Sequence, residues 1–467
     1  DAQAKMSDDA WLGAMRKYDN STTWETPGRD LLKGGVIELS RAFAEQIKKE
    51  PERFYRLTQR LDERISLHYV EAAISGLAEA QAPAEWVFEL VRRFASRLEG
   101  ESRRQVCWSL EKRAEAGVPD DLLDMFADWA LHDSDPQEEA WQIPARDGQT
   151  YYSGDPYSHG INTNRGAAII AFCRCTLSRQ PAQIERTFQL LEQVAADPST
   201  SVRTCVIRCL RMLLQYDVGR TVQILEKTLD GHPRLLQIPL VHDLLYWVLQ
   251  EHFLRIRPTI EALMNNDNEA TRQAGARLAC LAAFRHPEAA SLAEQALWGD
   301  AAMRRGAATI YARNLGSLRI QDTCRERLLP LMQDEDGQVQ THVGQCFEYL
   351  AAEHVAPLRS FILEFLDSPS LIAGSQYLLK FLKLIVVDEP EFALHAVERI
   401  LEIVGNELVD VRSGMAILED DVVHLLLAVY NHSTEPMLQS RAMERFERLL
   451  LAGGRQAQQA LADWDRR

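Results

Sequence analysis

The sequence predicts an all-α chain: a right-handed α-solenoid of about 11 or 12 stacked helix pairs, interrupted by one long ordered loop near residues 133–164. Three observations predict it. Apolar residues recur three and four positions apart along most of the chain, as in "FYRLTQRLDERISLHYVEAAISGLAEA" from Phe54 and "PEFALHAVERILEIVGNELVDV" from Pro390. Turn signals such as "AGVPDD", "ADPST", "DGHP", "RHPE", "DEDGQ", "DSPS" and "VDEPE" punctuate that period, and alternating strand runs are nearly absent. Finally, one turn-plus-helix unit recurs down the sequence.

In chain order, we expect residues 1–54 to form an N-terminal helical cap and 55–132 the first repeats. Residues 133–164 form an aromatic loop, 165–450 the main array, and 451–467 a C-terminal cap helix. The repeating unit is clearest in "DPSTSVRTCVIRCLRMLL" from Asp197, "NDNEATRQAGARLACLAAF" from Asn266, "GDAAMRRGAATIYARNL" from Gly299, "DEDGQVQTHVGQCFEYL" from Asp334 and "DSPSLIAGSQYLLKFL" from Asp367. Each has an acidic or amide cap, a polar first turn, a small residue and an apolar helix. The cap supplies an oxygen to the free N–H groups of the helix start. Gly166, Gly275, Gly306, Gly344 and Gly374 mark one place in the unit, at a mean period of about 35 residues if "HPRLLQIPLVHDLLYWVL" counts as a further unit. A helical glycine costs roughly 0.5–1 kcal/mol against alanine, so its recurrence implies close helix packing. Gly414 is read as marking one more unit.

The "D-x-x-x-x-V-R" turn of "DPSTSVR", its variant "NDNEATR" and the small-residue helix that follows resemble HEAT repeats over about residues 55–450. The period is shorter than the roughly 40–47 residues usual for that family. The tetratricopeptide pattern, nearer in period, is not legible. The segments "SDDAWLGAMRKYD", "INTNRGAA" and "SRAMERFERLLLAGGRQAQQALADWDRR" are similar to the C-terminal helical-repeat region of some bacterial STAND-type (NACHT-like) NTPases. That second resemblance implies a sensor or partner-binding part of a larger protein, and the first residue, Asp1 rather than Met, agrees with a piece of a longer chain.

The loop "DSDPQEEAWQIPARDGQTYYSGDPYSHGINTN" lacks a helical period but is not low-complexity. Trp141, Tyr151, Tyr152 and Tyr157 are aromatics of the type enriched in interface cores, so the loop packs either on its own solenoid or on a partner. Asn162, Thr163 and Asn164 suit the cap of a helix beginning near Arg165, and such a helix start beside an arginine also suits an anion. Asp155, His159 and Arg165 together could make a polar site. Arg203, Arg208, Arg211, Arg272, Arg277, Arg304, Arg305 and Arg313 recur at corresponding places. Stacked repeats would turn them into a ladder. Its guanidiniums, Arg272 and Arg304 among them, pair with the acidic turn of the next repeat or grip an acidic partner.

Motifs for chemistry are missing. The chain has no GxxxxGK[ST], GxGxxG, HExxH or GxSxG. His132-Asp133 and His242-Asp243 are isolated dipeptides, so neither a metal nor a cofactor is expected. "LEDDVV" around Glu419 reads as a solvated helix start, and Tyr246 and Trp247 as mostly core. The eight cysteines contain no CxxC and sit among apolar neighbours, as reduced buried thiols of a cytoplasmic protein would. With 52 Lys and Arg against 68 Asp and Glu, the formal net charge is −16. A field of that sign repels phosphate backbones and makes nucleic acid an improbable partner. No apolar run reaches the roughly 18 residues of a membrane span. The expected function is non-catalytic recognition of a protein partner, on a concave surface or on the long loop. The rivals are a HEAT-like DNA glycosylase and a stand-alone assembly scaffold.

Overall fold

The computed structural model describes residues 6–19, 35–80, 82–144, 150–177, 181–410 and 412–464. Among these residues lie 24 α-helices and several 3-10 turns, with no strand beyond one isolated bridge between Pro144 and Thr150. No helix among them is long and apolar enough to cross a membrane. The chain divides into two compact units, Asp1–Leu244 and Leu245–Arg467.

The first unit contains α1 (Asp8–Lys17), α2 (Val36–Lys49), α3 (Pro51–Thr58), α4 (Leu67–Glu79), α5 (Ala84–Phe94), α6 (Glu101–Glu111), α7 (Asp120–His132), α8 (Pro156–Gly160), α9 (Asn164–Leu177), α10 (Pro181–Val194), α11 (Thr200–Leu213) and α12 (Val218–Leu229). Helices α2, α4, α6, α9 and α11 pack side by side as a first layer. Their partners α3, α5, α7, α10 and α12 lie against them as a second. This is the arrangement that lets amphipathic helix pairs hide faces none could bury alone. Helix α1 closes the beginning: Trp11 is fully buried between Phe43 and Phe54, with ring centroids 5.5 and 6.0 Å away.

Helix α13 (Pro239–Met264) carries the boundary between the units and leaves helical geometry at His252 (φ −127°, ψ 32°). The second unit continues with α14 (Glu269–Ala283), α15 (Ala290–Trp298), α16 (Ala301–Asn314), α17 (Gln321–Leu331), α18 (Gly337–Gly344), α19 (Val355–Leu366), α20 (Ser370–Ile385), α21 (Pro390–Val404), α22 (Glu419–His432), α23 (Pro436–Leu451) and α24 (Arg455–Trp464). Here α14, α16, α18, α20 and α22 form the first layer, and α17, α19, α21 and α23 follow one another in the second. The chain is thus an all-α helical-repeat solenoid.

The caps read from sequence start these helices. Ser199, Asn268, Asp300 and Asp336 each accept a backbone N–H of the first turn, from Val202, Thr271, Met303 and Val339. The recurrent glycines sit where first-layer helices touch. A Cβ on Gly306 would lie 2.5 Å from the Gln273 carbonyl, and one on Gly344 would lie 2.4 Å from the Gly374 Cα. Gly414 departs from the pattern: it opens a 3-10 turn before α22, and nothing lies within 4 Å of its missing side chain. All eight cysteines are buried and none forms a disulfide; burial pushes the thiols of Cys107, Cys173, Cys205, Cys280, Cys324 and Cys346 up, to about 12 for Cys280 and Cys324. Glu419 corrects the solvated reading of "LEDDVV". It is 5% exposed, and its Oε1 accepts the backbone N–H groups of Gln456 and Ala457 at the start of α24.

Of the arginines that recur in the sequence, Arg203, Arg272 and Arg304 form, with Arg103, a ladder between successive repeats. An arginine in the first turn of a first-layer helix bonds back to the turn before its own helix and forward to the turn that opens the next repeat. Arg103 reaches Leu98 O at 3.0 Å and Asp133 Oδ2 at 2.6 Å. Arg203 reaches Asp197 O at 2.6 Å and the carbonyls of Thr228 and Asp230, each at 2.8 Å. Arg272 reaches Asn266 O at 2.8 Å and Asp300 Oδ2 at 2.6 Å. Arg304 reaches Gly299 O at 2.7 Å and Asp334 Oδ2 at 2.5 Å. In α18 Gln340 takes the place and reaches back to Asp334 O at 2.7 Å. Of the two fates open to these guanidiniums in the sequence, the rungs occupy the internal one.

Two outcomes follow. Gly306→Ala should cost about 1–3 kcal/mol by overpacking, read as a lower urea midpoint. Gly337→Ala, with open space around it, should be neutral or stabilising by up to about 1 kcal/mol. Arg304→Met strands the buried Asp334 carboxylate and should cost about 1–3 kcal/mol. A double-mutant cycle with Asp334→Asn should show coupling of about 1 kcal/mol between the two.

Candidate partner-binding insertion

The residues between α7 and α9 are an insertion at an ordinary repeat turn. Asp133 and Asp135 begin as the turn acids of the ladder. Asp133 is 7% exposed and accepts from Arg103 and from Asn164 Nδ2 at 3.1 Å. The chain then detours through a 3-10 turn at Ala140–Gln142, a second at Tyr151–Gly154 and the single-turn α8 before it rejoins the array at Asn164. The sequence shows no helical period there because each of these turns is too short to have one. Residues 145–149 lie outside the described residues.

The insertion is anchored at its base. Glu139 reaches the start of α11: its Oε2 accepts from Ser201 Oγ at 2.5 Å and its Oε1 from the Ser201 N–H at 3.4 Å. Trp141, 6% exposed, donates its indole N–H to Glu139 Oε2, and the Arg234 guanidinium lies 5.6 Å from its ring centroid. His159, also 6% exposed, places Nδ1 2.8 Å from Ser201 Oγ and 3.9 Å from Glu139 Oε2. The Ser201 hydroxyl has one proton and gives it to the carboxylate, so His159 donates from Nδ1. Helix α8 lies directly on α11 because Gly160 has no side chain; a Cβ there would be 2.3 Å from Ser201 O. Tyr157 is half-buried near Cys205, Arg208 and Cys209. Burial pushes Glu139 up, but hydrogen bonds from Ser201, Trp141 and Ser199 outweigh it and hold the carboxyl below the ordinary glutamate range.

Arg165 belongs to the anchor too. It donates to Asp133 O at 3.3 Å and to Asp197 Oδ1 at 3.2 Å, as a ladder rung. Burial pushes Asp197 up despite Arg165 and Arg203 beside it. Thr163 Oγ1 caps α9 by accepting from Gly166 N at 3.1 Å. The anion that this helix start suits is already present in the chain: Asp135 Oδ2 accepts the Asn164 N–H at 2.7 Å. Asp155, His159 and Arg165 do not gather into one polar site. Asp155 caps α8, His159 faces Ser201 and Arg165 faces Asp197.

The tip is different. Tyr151 is 53% exposed and Tyr152 40% exposed. Tyr152 and Ser153 are consecutive non-glycine residues in the left-handed region, at φ 54° and 53°. Such a conformation costs of order 1–3 kcal/mol per residue and survives only where its surroundings impose it. Here the Tyr152 ring packs 5.2 Å from the His159 imidazole. Sequence reasoning therefore found the aromatics but missed Glu139, Ser201 and Asp133, which hold them. The one available signal was the acidic pair of "EEAW", which ends two residues before the tryptophan. Arg272 and Arg304 lie in the second unit on the ladder. No group of three or more His, Cys, Asp or Glu that could hold a metal ion occurs among the described residues.

The anchor has a pH signature. Burial holds His159 below its ordinary pKa, against the opposing charges of Glu139, Asp135 and Glu138. The folded imidazole thus stays neutral where an unfolded one gains a proton, near pH ~6.5. Its stabilisation is complete above that value and declines as the pH falls through it. Proteolytic cleavage within 133–164 should be faster at about pH 5.5 than at 7.5, and His159→Gln should shrink that difference. His232, held down by burial and by Arg203, supplies the His232→Gln control.

No family model and no curated protein matches this sequence. Among solved structures the chain is similar to one chain of a homology model of the full-length AP-3 complex in an intermediate open conformation. That match has a TM-score of 0.50 at 10% identity and covers 100% of this chain and 86% of the other. A second match is the crystal structure of Kap121p, with a TM-score of 0.45 at 12% identity. It covers 90% of this chain, which spans about half (52%) of the Kap121p chain. At 10% identity the first likeness is one of fold alone, and it agrees with the helical-repeat solenoid described above.

Proposed function

We propose that this chain is a non-catalytic recognition scaffold whose 133–164 insertion presents Tyr151 and Tyr152 to a protein partner. The observation that carries the reading is the contrast within one short segment. Trp141 and His159 are buried and bonded to the array, while two tyrosines stand exposed on a left-handed turn. A rigid base with an exposed amphipathic aromatic tip is how binding loops combine pre-organisation with contact area. The array supplies the fixed platform. The resemblance of the chain ends to the repeat region of STAND-type NTPases extends the proposal to a sensor part of a larger bacterial protein. The glycosylase rival is disfavoured by the net charge of −16 and by guanidiniums already committed to ladder turns. We assign Arg272 and Arg304 to stability rather than to partner contact.

The test is photocrosslinking in cells of the source organism with a benzophenone amino acid at position 151, and at exposed Tyr216 as a control. A discrete protein adduct at 151 alone is expected. Tyr151→Ser, which leaves Tyr152 packed on His159, should remove that partner from affinity captures without lowering the melting temperature. Captures identical to wild type would remove the insertion from the binding surface. Arg272→Glu and Arg304→Glu should lower the melting temperature and leave the partner list unchanged.

A further inference from the structure

Among the described residues, the face of the first layer that α8 covers on α11 is open on α4. On α11 the second, sixth and ninth helix positions are Ser201, Cys205 and Arg208. Helix α8 rests there through Gly160, His159 and Tyr157. On α4 the same positions are His68, Ala72 and Ser75. They line a groove of about 480 Å³ that runs from α2 across α4 to α6. Its floor is built of small side chains, Ala44, Ala72 and Ser75, so a second backbone can come close, as α8 does on α11.

The wall of the groove holds an acid whose basic neighbour is a histidine rather than a lysine or arginine. Glu71 has a side chain 16% exposed; it accepts from the Ser102 hydroxyl and lies 3.6 Å from His68 Nδ1. Among the described residues no lysine or arginine forms an ion pair with it. Glu101 at the same groove is 3.9 Å from Arg104, and Arg41 stands exposed at the rim. Burial pushes the Glu71 carboxyl up, with Glu101 adding to the effect and Ser102 and His68 opposing it. A half-desolvated carboxylate is costly unless a cation meets it. A protein of net charge −16 also draws basic partners by its field.

We infer that the α2–α4–α6 groove binds a short helical segment of a partner protein, seated as α8 is seated on α11, with a lysine or arginine of that segment on Glu71. This is a second surface, independent of the tyrosine tip. It accepts one or two helical turns with small residues toward Ala44, Ala72 and Ser75 and a cationic side chain toward Glu71.

The test uses the full chain and three fluorescein-labelled, acetylated and amidated Ala/Ser-rich helical peptides with a central lysine, norleucine or glutamate. Fluorescence anisotropy should show saturable binding of the lysine peptide, about tenfold tighter than norleucine and weaker still for glutamate. Glu71→Gln keeps the Ser102 contact and should erase the lysine preference with unchanged circular dichroism. Ala72→Trp fills the groove and should abolish binding of all three peptides. Lysine and glutamate peptides that bind alike, affinity unaffected by Ala72→Trp, or no saturable binding of the lysine peptide at millimolar concentration would each overturn the inference. Self-association of the chain that Glu71→Gln abolishes would do so as well, since the occupant would then be a second copy.

Discussion

The repeats that open with α6, α9, α11, α14 and α16 are each held in register with the next by a side chain that reads two turns at once. Arg203, Arg272 and Arg304 each bond to backbone of the turn before their own helix and to the turn that opens the next repeat. Apolar burial between helices is strong but unspecific in direction; it tolerates a slide of one helix along another. A planar guanidinium with fixed donor directions does not. The ladder therefore supplies the registration that lets Gly306 of α16 meet the α14 backbone at Gln273, the pair that Arg272 and Asp300 link. It also explains why the acids beneath it tolerate burial: Asp133 and Asp334 are inside the layer, but each has a cation and a turn N–H to accept.

The insertion borrows this device. It departs from a ladder turn at Asp133 and Asp135 and returns through Asn164 and Arg165, which bond to those same two residues. Because both ends are tied to one rung, roughly 30 residues leave the array and come back without disturbing the α6–α9 contact. Glu139 and His159 then pin the returning strand of the loop to the start of α11 through Ser201. The strained residues Tyr152 and Ser153 stand at the exposed tip, beyond these ties.

The same face of the first layer serves two roles in the first unit. On α11 the chain itself fills it with α8; on α4, among the described residues, it is an open groove whose carboxylate meets His68 but no lysine or arginine. What distinguishes the two is the insertion, not the repeat. The helices are alike in length and spacing, and the second and sixth positions that α8 rests on, Ser201 and Cys205, are small as Ala72 and Ser75 are on α4.

The helices, their caps and the repeat period were legible because they are set by local chemistry. A side-chain oxygen at a helix start, a three-and-four apolar spacing and a glycine at a crossing each act within a few residues. The eventual partners of Arg272 and Arg304 were open in the sequence, since an arginine next to an acidic turn serves a neighbour or a stranger equally well until the stacking distance is known. Glu139 and Ser201 were not legible as a pair. They lie 62 residues apart, and only the return of the insertion across α11 brings the carboxylate to the hydroxyl. Glu419 was misread for the same reason, because its acceptor role depends on α24 arriving 37 residues later. The amino-acid sequence by itself thus determined an all-α repeat architecture. Tertiary structure alone decided which polar groups satisfy one another and which are left facing solvent, because burial and pairing belong to atoms brought together from distant parts of the chain.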